Sequence, residues 1–219
     1  MARLILWRHG QTEWNSIGRV QGHADIDLDE TGHAQAATAA ELLAALGPAK
    51  IVSSDLSRTV STARHLADLT GLPIAVDPRL RERSFGDWEG LTNAEIAERH
   101  PESWELWTTG QPLHGHRIEN YDDVAVRMGA ALTEAVADCD GLVVAVTHGG
   151  SARRALATLI GVPGFAEAIG GLYNCRWTEL RQRGGTWKLH AHNAGEPVGA
   201  NPPGQGAQES GNRTRPAHV

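Results

Sequence analysis

Short unbroken apolar runs alternate along this chain with longer segments whose apolar residues recur at helical spacing. Residues 4–7 (Leu-Ile-Leu-Trp) sit between arginines and read as a strand covered on both faces, where no polar alternation is needed. Residues 10–29 are polar, hold Gly18 and Gly22, and are long for a plain connection, which points to a working loop. Thr31 opens an alanine- and leucine-rich helix ending near Gly47-Pro48, and 50–53 is a second short strand. Asp55 or Ser57 is placed to cap a helix running to about Thr70, stopped by Gly71 and Pro73. Residues 74–76 fit an edge strand, and 78–90 are irregular, carrying Arg79, Arg81, Glu82 and Arg83. Thr92 and Glu95 have capping-box spacing for a helix to Arg99. Residues 101–120 read as a lid-like excursion, and 121–138 as an amphipathic helix. The β-branched block 142–146 is the clearest strand, with a helix over 151–160 behind it. Strands over 172–180 and 186–192 surround the Gly184-Gly185 turn. Strands alternating with helices predict an α/β fold, a three-layer sandwich with a mostly parallel central sheet.

Composition adjusts this picture at its edges. Beyond Gly195 the chain turns to Pro, Gly, Gln, Asn and Ser without periodicity, so 195–219 reads as a disordered tail behind one domain of residues 1–194. With 41% hydrophobic and 21% charged residues, disorder of the whole chain is excluded. The formal net charge of -6 offers no basic field, which argues against a nucleic-acid partner. Lys50 and Lys188 are the only lysines, so nearly all positive charge is arginine. GC-rich coding accounts for most of that bias, yet the guanidinium fork still suits phosphate and carboxylate. Cys139 and Cys175 make neither a disulfide framework nor a CxxC pair. The N-terminal apolar run is too short for a signal segment and no stretch reaches membrane-span length, so the expectation is a cytoplasmic protein with no membrane partner.

Candidate chemistry collects at two junctions with the same pattern. Leu-Ile-Leu-Trp-Arg8-His9-Gly10 and Val-Val-Ala-Val-Thr147-His148-Gly149 both run from an apolar strand straight into His-Gly. In a parallel sheet both junctions lie at the carboxyl edge, where open α/β folds place their sites. A single such histidine is better explained by a hydrogen bond capping its strand. The repeat, with glycine allowing close backbone approach, favours a site. Arg58 falls in the first turn of the helix after the second strand, beside the positive end of the helix dipole, an awkward place for a cation unless an anion is near. With Arg8 at the same edge, an oxyanion pocket accounts for the set better than surface arginines do.

Competing chemistries find less support. Arginines in the pocket would repel a divalent metal, and no HExxH spacing occurs. The pairs His114/His116 and His190/His192 read as exposed polar positions. Gly149-Gly150-Ser151-Ala152-Arg153 lacks the last glycine of a GxSxG nucleophile turn. No GxxxxGK[ST] or GxGxxG loop is present, so no nucleotide cofactor is expected. Trp104 and Trp107, three apart, either shield the pocket from one helical face or pack in the core.

The stretch Arg8-His9-Gly10-Gln11-Thr12-Glu13-Trp14-Asn15 resembles the RHG[EQ][ST]xxN signature of the histidine phosphatase (phosphoglycerate mutase-like) superfamily. The resemblance continues through Gln21-Gly22, Ser53-Ser54-Asp55-Leu56-Ser57-Arg58, Arg79-Leu80-Arg81-Glu82, Gly86-Asp87-Trp88-Glu89-Gly90 and Val146-Thr147-His148-Gly149. It implies a phosphoglycerate mutase-like fold, a catalytic domain over 1–194, and no metal or other cofactor. It implies that His9 attacks phosphorus and forms a phosphohistidine. Arg8, Arg58 and His148 would hold the phosphoryl oxygens. Asn15, Gln21, Gly22 and Gly149 would contact the substrate. Glu82 would protonate the leaving oxygen and then activate water; its choice over Glu13, Asp87 or Glu89 rests on the family alone.

Mutases of this family carry a Tyr and a Lys soon after the acid glutamate. Here Arg83-Ser84-Phe85 follows, which resembles the phosphatase branch and its actinobacterial members acting on phosphoglycerate-type or sugar-linked phosphates. The expected partner is thus a small phosphorylated metabolite, with a homodimer possible, since members are often dimers. A phosphoglycerate mutase is the alternative, and a non-catalytic phosphate-binding module a third, disfavoured because His9 and Glu82 are both present. Where phosphatases read GGES before the long helix, this chain has Gly115-His116-Arg117-Ile118-Glu119-Asn120, which aligns Glu119 and adds bulk at the substrate mouth.

Overall fold

The computed structural model describes residues 2–195 apart from Pro112 and Pro163. The tail expected over 195–219 therefore lies, except for Gly195, outside the described residues. Six strands form one sheet: β1 (Arg3–Arg8), β2 (Pro48–Ser53), β3 (Ile74–Val76), β4 (Leu142–Thr147), β5 (Trp177–Arg183) and β6 (Thr186–Ala194). Their order is β3-β2-β4-β1-β5-β6. The first four are parallel neighbours, whereas β5 runs antiparallel to both β1 and β6. The sheet is thus parallel on its β3 side and closed at the other edge by a hairpin.

Period-two alternation divides the apolar runs between two layers. Leu4 and Leu6 of β1, with Val143 and Ala145 of β4, pack against α6 (Tyr121–Ala137) and α7 (Gly149–Ile160) through Met128, Leu132, Ala152 and Leu156. Ile5, Trp7, Val144 and Val146 point the other way, onto Ala36, Ala40 and Leu43 of α2 (Glu30–Ala44) and Ala63 and Leu66 of α3 (Ser57–Thr70). Every residue of β4 is buried, as a strand covered on both faces must be. Each such Leu, Ile or Val side chain contributes about 1.5–3 kcal/mol through burial, which sets the rigid platform under the strand ends. No helix of the described residues is long and apolar enough to cross a membrane.

Several local expectations change. The polar loop after His9 contains a five-residue helix, α1 (Glu13–Ile17), started by a reciprocal Thr12–Asn15 capping box. Neither Asp55 nor Ser57 caps α3: the N-cap is Leu56, with no side-chain bond. Asp25 does the work from a distance, accepting from Ser57 N at 2.7 Å and Ser57 Oγ at 2.8 Å, while Asp55 is held by Arg81. The first strand of the hairpin begins at Trp177, not 172, because Cys175 sits at φ 52° and the 172–176 segment gives its hydrogen bonds to Arg8 and His9 instead. The 78–90 stretch holds two 3-10 turns, Pro78–Leu80 and Gly86–Trp88.

The 101–120 excursion is more structured than a plain lid. α4 (Asn93–Arg99), with its capping box, leads into α5 (Pro101–Thr108), and a four-residue α8 (Phe165–Ala168) follows α7. Trp107 is buried with Val20, Phe85, Trp88 and Ile96 in a separate apolar cluster, and Trp104 packs partly against it. The core reading of these tryptophans therefore holds, although Trp107 also walls a cavity. His114 and His190 are exposed as expected, but His116 and His192 are half-buried. His116 bonds the Ser103 hydroxyl at 2.9 Å, and His192 donates Nε2–H to the Gly170 carbonyl at 3.0 Å.

Candidate active site

Because β1, β2 and β4 are parallel and adjacent, their carboxyl ends deliver Arg8-His9, Ser54 to Arg58, and His148 to one edge. Glu82 arrives from the segment after the first 3-10 turn. Together with Asn15, Gln21, Gly22 and Phe85 they line a pocket of about 40 Å³, the scale of a phosphoryl group and not of a whole metabolite. His148 is fully buried, and Arg8, His9, Arg58 and Glu82 are each 6% exposed or less.

His9 has its tautomer fixed by one contact. Its Nδ1 lies 2.7 Å from the carbonyl oxygen of Gly10. A carbonyl only accepts, so Nδ1 carries the proton and Nε2 keeps its lone pair. Burial, then Arg58, then Arg8 depress the His9 pKa well below 6.5. The ring is thus neutral and nucleophilic. Its backbone is pinned as well, with His9 N donating to Thr147 O and its carbonyl accepting from Asn174 Nδ2. Gly10 N donates to Thr62 Oγ1, and an added Cβ at Gly10 would meet the Gly32 carbonyl at 2.4 Å, so the loop lies directly on the start of α2.

Arg58, the second residue of α3, is 1% exposed. Its guanidinium donates to Gly22 O and Ala24 O, both at 2.8 Å, and through Nε to His148 Nδ1 at 3.3 Å. Burial pulls its pKa down to about 10, which leaves it cationic at neutral pH. Since Nδ1 of His148 accepts, its proton sits on Nε2 and faces Ser54 Oγ at 3.1 Å. Burial, with Arg58 next, lowers the His148 pKa well below 6.5. The two imidazoles stand edge to face, 5.2 Å between centroids. Arg8 is anchored through Nη1 to Leu172 O at 2.7 Å. Two buried guanidinium groups beside neutral imidazoles make a pocket suited to phosphoryl oxygens.

Glu82 is held by the amino end of α7. Oε1 accepts from Ser151 N at 2.8 Å, Ser151 Oγ at 2.9 Å and Arg83 N at 2.8 Å, while among the described residues Oε2 accepts from Gly150 N alone, at 3.0 Å. Oε2 is accordingly the oxygen with room for a proton in flight. The helix dipole favours a carboxylate there. A Cβ at Gly150 would stand 2.8 Å from Oε1, so any larger residue there would push the carboxylate off its present seat.

The structure brings together His9, Arg8, Arg58, His148, Glu82, Asn15, Gln21 and Gly22 on one pocket wall. Gly149 is not on that wall: it is buried at the start of α7, and its successor Gly150 makes the contact instead. Sequence reasoning missed the part played by Gly150 and Ser151, which it examined as a failed nucleophile turn. It also missed Ser54, Thr62 and Asn174. A glycine pair after a strand-end histidine was a usable signal; the three polar residues have none short of a three-dimensional fold.

A family model described as histidine phosphatase superfamily (branch 1) matches residues 4–195. The chain is 41% identical over 188 residues to a glucosyl-3-phosphoglycerate phosphatase of Mycobacterium tuberculosis, covering 81% of this chain and 84% of that protein. It is 36% identical over 193 residues to a probable phosphoglycerate mutase of Yersinia pestis, covering 85% and 88% respectively. Among solved structures, mycobacterial glucosyl-3-phosphoglycerate phosphatase in complex with VO3 superposes with a TM-score of 0.83 at 40% identity, over 89% of this chain and 100% of that one.

Imidazole 15N NMR at pH 6 should show His9 neutral with the proton on Nδ1 and His148 neutral with it on Nε2; titration of either ring near 6.5 would contradict the site. Because both native pKa values lie below the unfolded 6.5, the unfolded chain binds more protons in that window. Stability should therefore fall as pH drops below 6.5, by about 1.4 kcal/mol per pH unit for each histidine, measurable by urea unfolding. Gly150→Ala should lower kcat about 10- to 100-fold by displacing Glu82. Thermal stability should fall modestly, since the displaced carboxylate gives up buried hydrogen bonds worth about 1–3 kcal/mol against the gain of up to about 1 kcal/mol from alanine in a helix. Unchanged kcat would show that the position of the Glu82 carboxylate does not depend on its close fit against Gly150.

Proposed function

The chain belongs to the histidine phosphatase superfamily, and from that premise we propose that it hydrolyses a small phosphate monoester, of the phosphoglycerate or sugar-linked kind, through a phosphohistidine on His9. The observation that carries this reading is the His9 ring, its Nδ1 proton committed to Gly10 O and its Nε2 unprotonated in a buried pocket with two arginines. Such a pocket supplies what phosphoryl transfer asks of a protein, namely position and compensation of spreading negative charge.

Two half-reactions use the same residues. Nε2 of His9 attacks phosphorus while the bond to the leaving oxygen breaks, and a proton on Glu82 Oε2 goes to that oxygen. Arg8, Arg58 and His148 hold the equatorial oxygens. The product alcohol leaves, water enters, and Glu82 takes a proton from it as its oxygen attacks phosphorus. The bond to His9 then breaks, phosphate departs, and neutral His9 is restored. The arginines provide the cationic charge that a metal supplies in other phosphatases, so metal independence is part of the proposal.

The mutase reading has less support. Residues 83–92 after Glu82 hold neither the Tyr nor the Lys that a mutase carries there, and Arg83 is turned onto Glu119 O and the Tyr121 ring. The glucosyl-3-phosphoglycerate phosphatases among the relatives favour a sugar-linked glycerate phosphate as substrate. We further propose a cytoplasmic location, consistent with phosphorylated metabolites and with the two free thiols Cys139 and Cys175.

Purified protein should hydrolyse p-nitrophenyl phosphate with undiminished rate in EDTA, and His9→Ala should reduce kcat about a thousandfold or more. Activity that survives in His9→Ala, or that EDTA abolishes, would sink the proposal.

A further inference from the structure

Glu82 stands on irregular backbone between the 3-10 turns Pro78–Leu80 and Gly86–Trp88. A strand end is kept in place by its ladder; this segment lies outside the six strands, so its carbonyls must find donors elsewhere. Four consecutive carbonyls find them in side chains. Thr147 Oγ1 donates to Leu80 O, and His23 Nε2 to Glu82 O, each at 2.8 Å. Arg127, from the second turn of α6, reaches the other two and shares Glu82. Its Nη1 donates to Arg79 O and Arg81 O, both at 2.7 Å, and its Nη2 to Glu82 O at 2.9 Å.

The rest of the guanidinium is taken up by Glu119, with Nε on Oε1 at 2.7 Å and Nη2 on Oε2 at 2.9 Å. All five N–H donors of Arg127 are thereby in use. None is left to hold a ligand, and Arg127 is not on the wall of the catalytic pocket. Glu119 grips the chain beyond the acid. Its Oε2 accepts from Ser84 N at 3.1 Å, its own N donates to Ser84 O at 3.0 Å, and its O accepts from Arg83 Nε at 2.6 Å. Residues 79–84 are thus held on both sides of Glu82 by the two members of one ion pair, whose side chains are 19% and 18% exposed. Burial works against a charged Glu119, yet Arg127 keeps its pKa below the ordinary carboxylate value. The pair is neutral as a whole and adds no net charge beside the acid.

The carboxylate of Glu82 has its own anchor on the amides of α7. That anchor serves only while the Glu82 backbone stays within reach, and the ion pair sets where the backbone lies. A displacement of about 1 Å can cost on the order of 100-fold in rate. We propose that Arg127 is a positioning residue for proton transfer: locked by Glu119, it fixes the backbone of Glu82 so that Oε2 meets the leaving oxygen. It touches neither the substrate nor the transferred phosphoryl group. This role rests on the phosphatase reading and adds to it the part of the scaffold on which the acid, as distinct from attack by His9, depends.

Proton transfer matters most where the leaving oxygen is basic. p-Nitrophenolate departs without a proton, because its nitro group takes up the charge; phenolate, of similar shape, needs the acid far more. With no product alcohol present, kcat/KM covers only the steps through phosphohistidine formation. Its ratio for phenyl over p-nitrophenyl phosphate therefore reads the acid and not the later attack by water. In Arg127→Ala this ratio should fall about 10- to 100-fold below that of wild type, the loss being concentrated on phenyl phosphate. Arg127→Lys keeps the charge with fewer N–H groups, and its ratio should fall by about 3- to 10-fold, between the other two. Should Arg127→Ala fail to fold, Arg127→Lys carries the test alone. A ratio unchanged from wild type in the folded variants, whether both substrates hold or both fall together, would overturn the role and leave the phosphatase reading standing. No turnover of p-nitrophenyl phosphate by wild type would remove the phosphatase reading, and with it the step that Arg127 serves.

Discussion

The hydrogen bond from His9 Nδ1 to the carbonyl of Gly10 sets the terms for the rest of the pocket, because a carbonyl can only accept and so leaves Nε2 as the free nitrogen. Burial and two nearby guanidinium groups then keep the ring neutral. Without the carbonyl the proton could occupy either nitrogen; without the cations the ring could also protonate. The same arginines that keep His9 unprotonated hold a place for the incoming phosphoryl group. Nucleophile and oxyanion site are thus one electrostatic arrangement.

The fold's contribution is to keep that arrangement in register. Gly10 can offer its carbonyl only if its backbone stays where it is, and it is fixed by Thr62 on α3 and by close backbone contact with Gly32 on α2. Arg58 is oriented by carbonyls of the loop after α1 and by His148 at the end of β4. The parallel order of β2, β4 and β1 makes these contacts possible, since each strand ends at the same edge and hands its next residues to the site. Glu82 is the exception, coming from an irregular segment and held by amides of α7.

What could be read in the sequence follows this division. His9, His148 and Arg58 were legible because each directly follows an apolar strand or opens a helix, and strand direction alone brings such positions together. Glu82 was not, since nothing about residues 78–90 separates one acid from another until α7 is seen to cap it; family resemblance supplied it. Gly149 and Gly150 are indistinguishable in sequence, and only the placement of Glu82 decides between them. Loop 172–176 resembles a strand because its apolar residues are buried, but it is buried by a turn whose polar groups serve Arg8 and His9.

The measurement that bears most directly on this account is the position of phosphate on His9. Rapid quenching of the enzyme during turnover, followed by 31P NMR or fragment-ion mass spectrometry of the isolated peptide, distinguishes the two phosphohistidine isomers. The tautomer fixed by Gly10 predicts phosphate on Nε2 of His9. Phosphate on Nδ1, or on another residue, would contradict it.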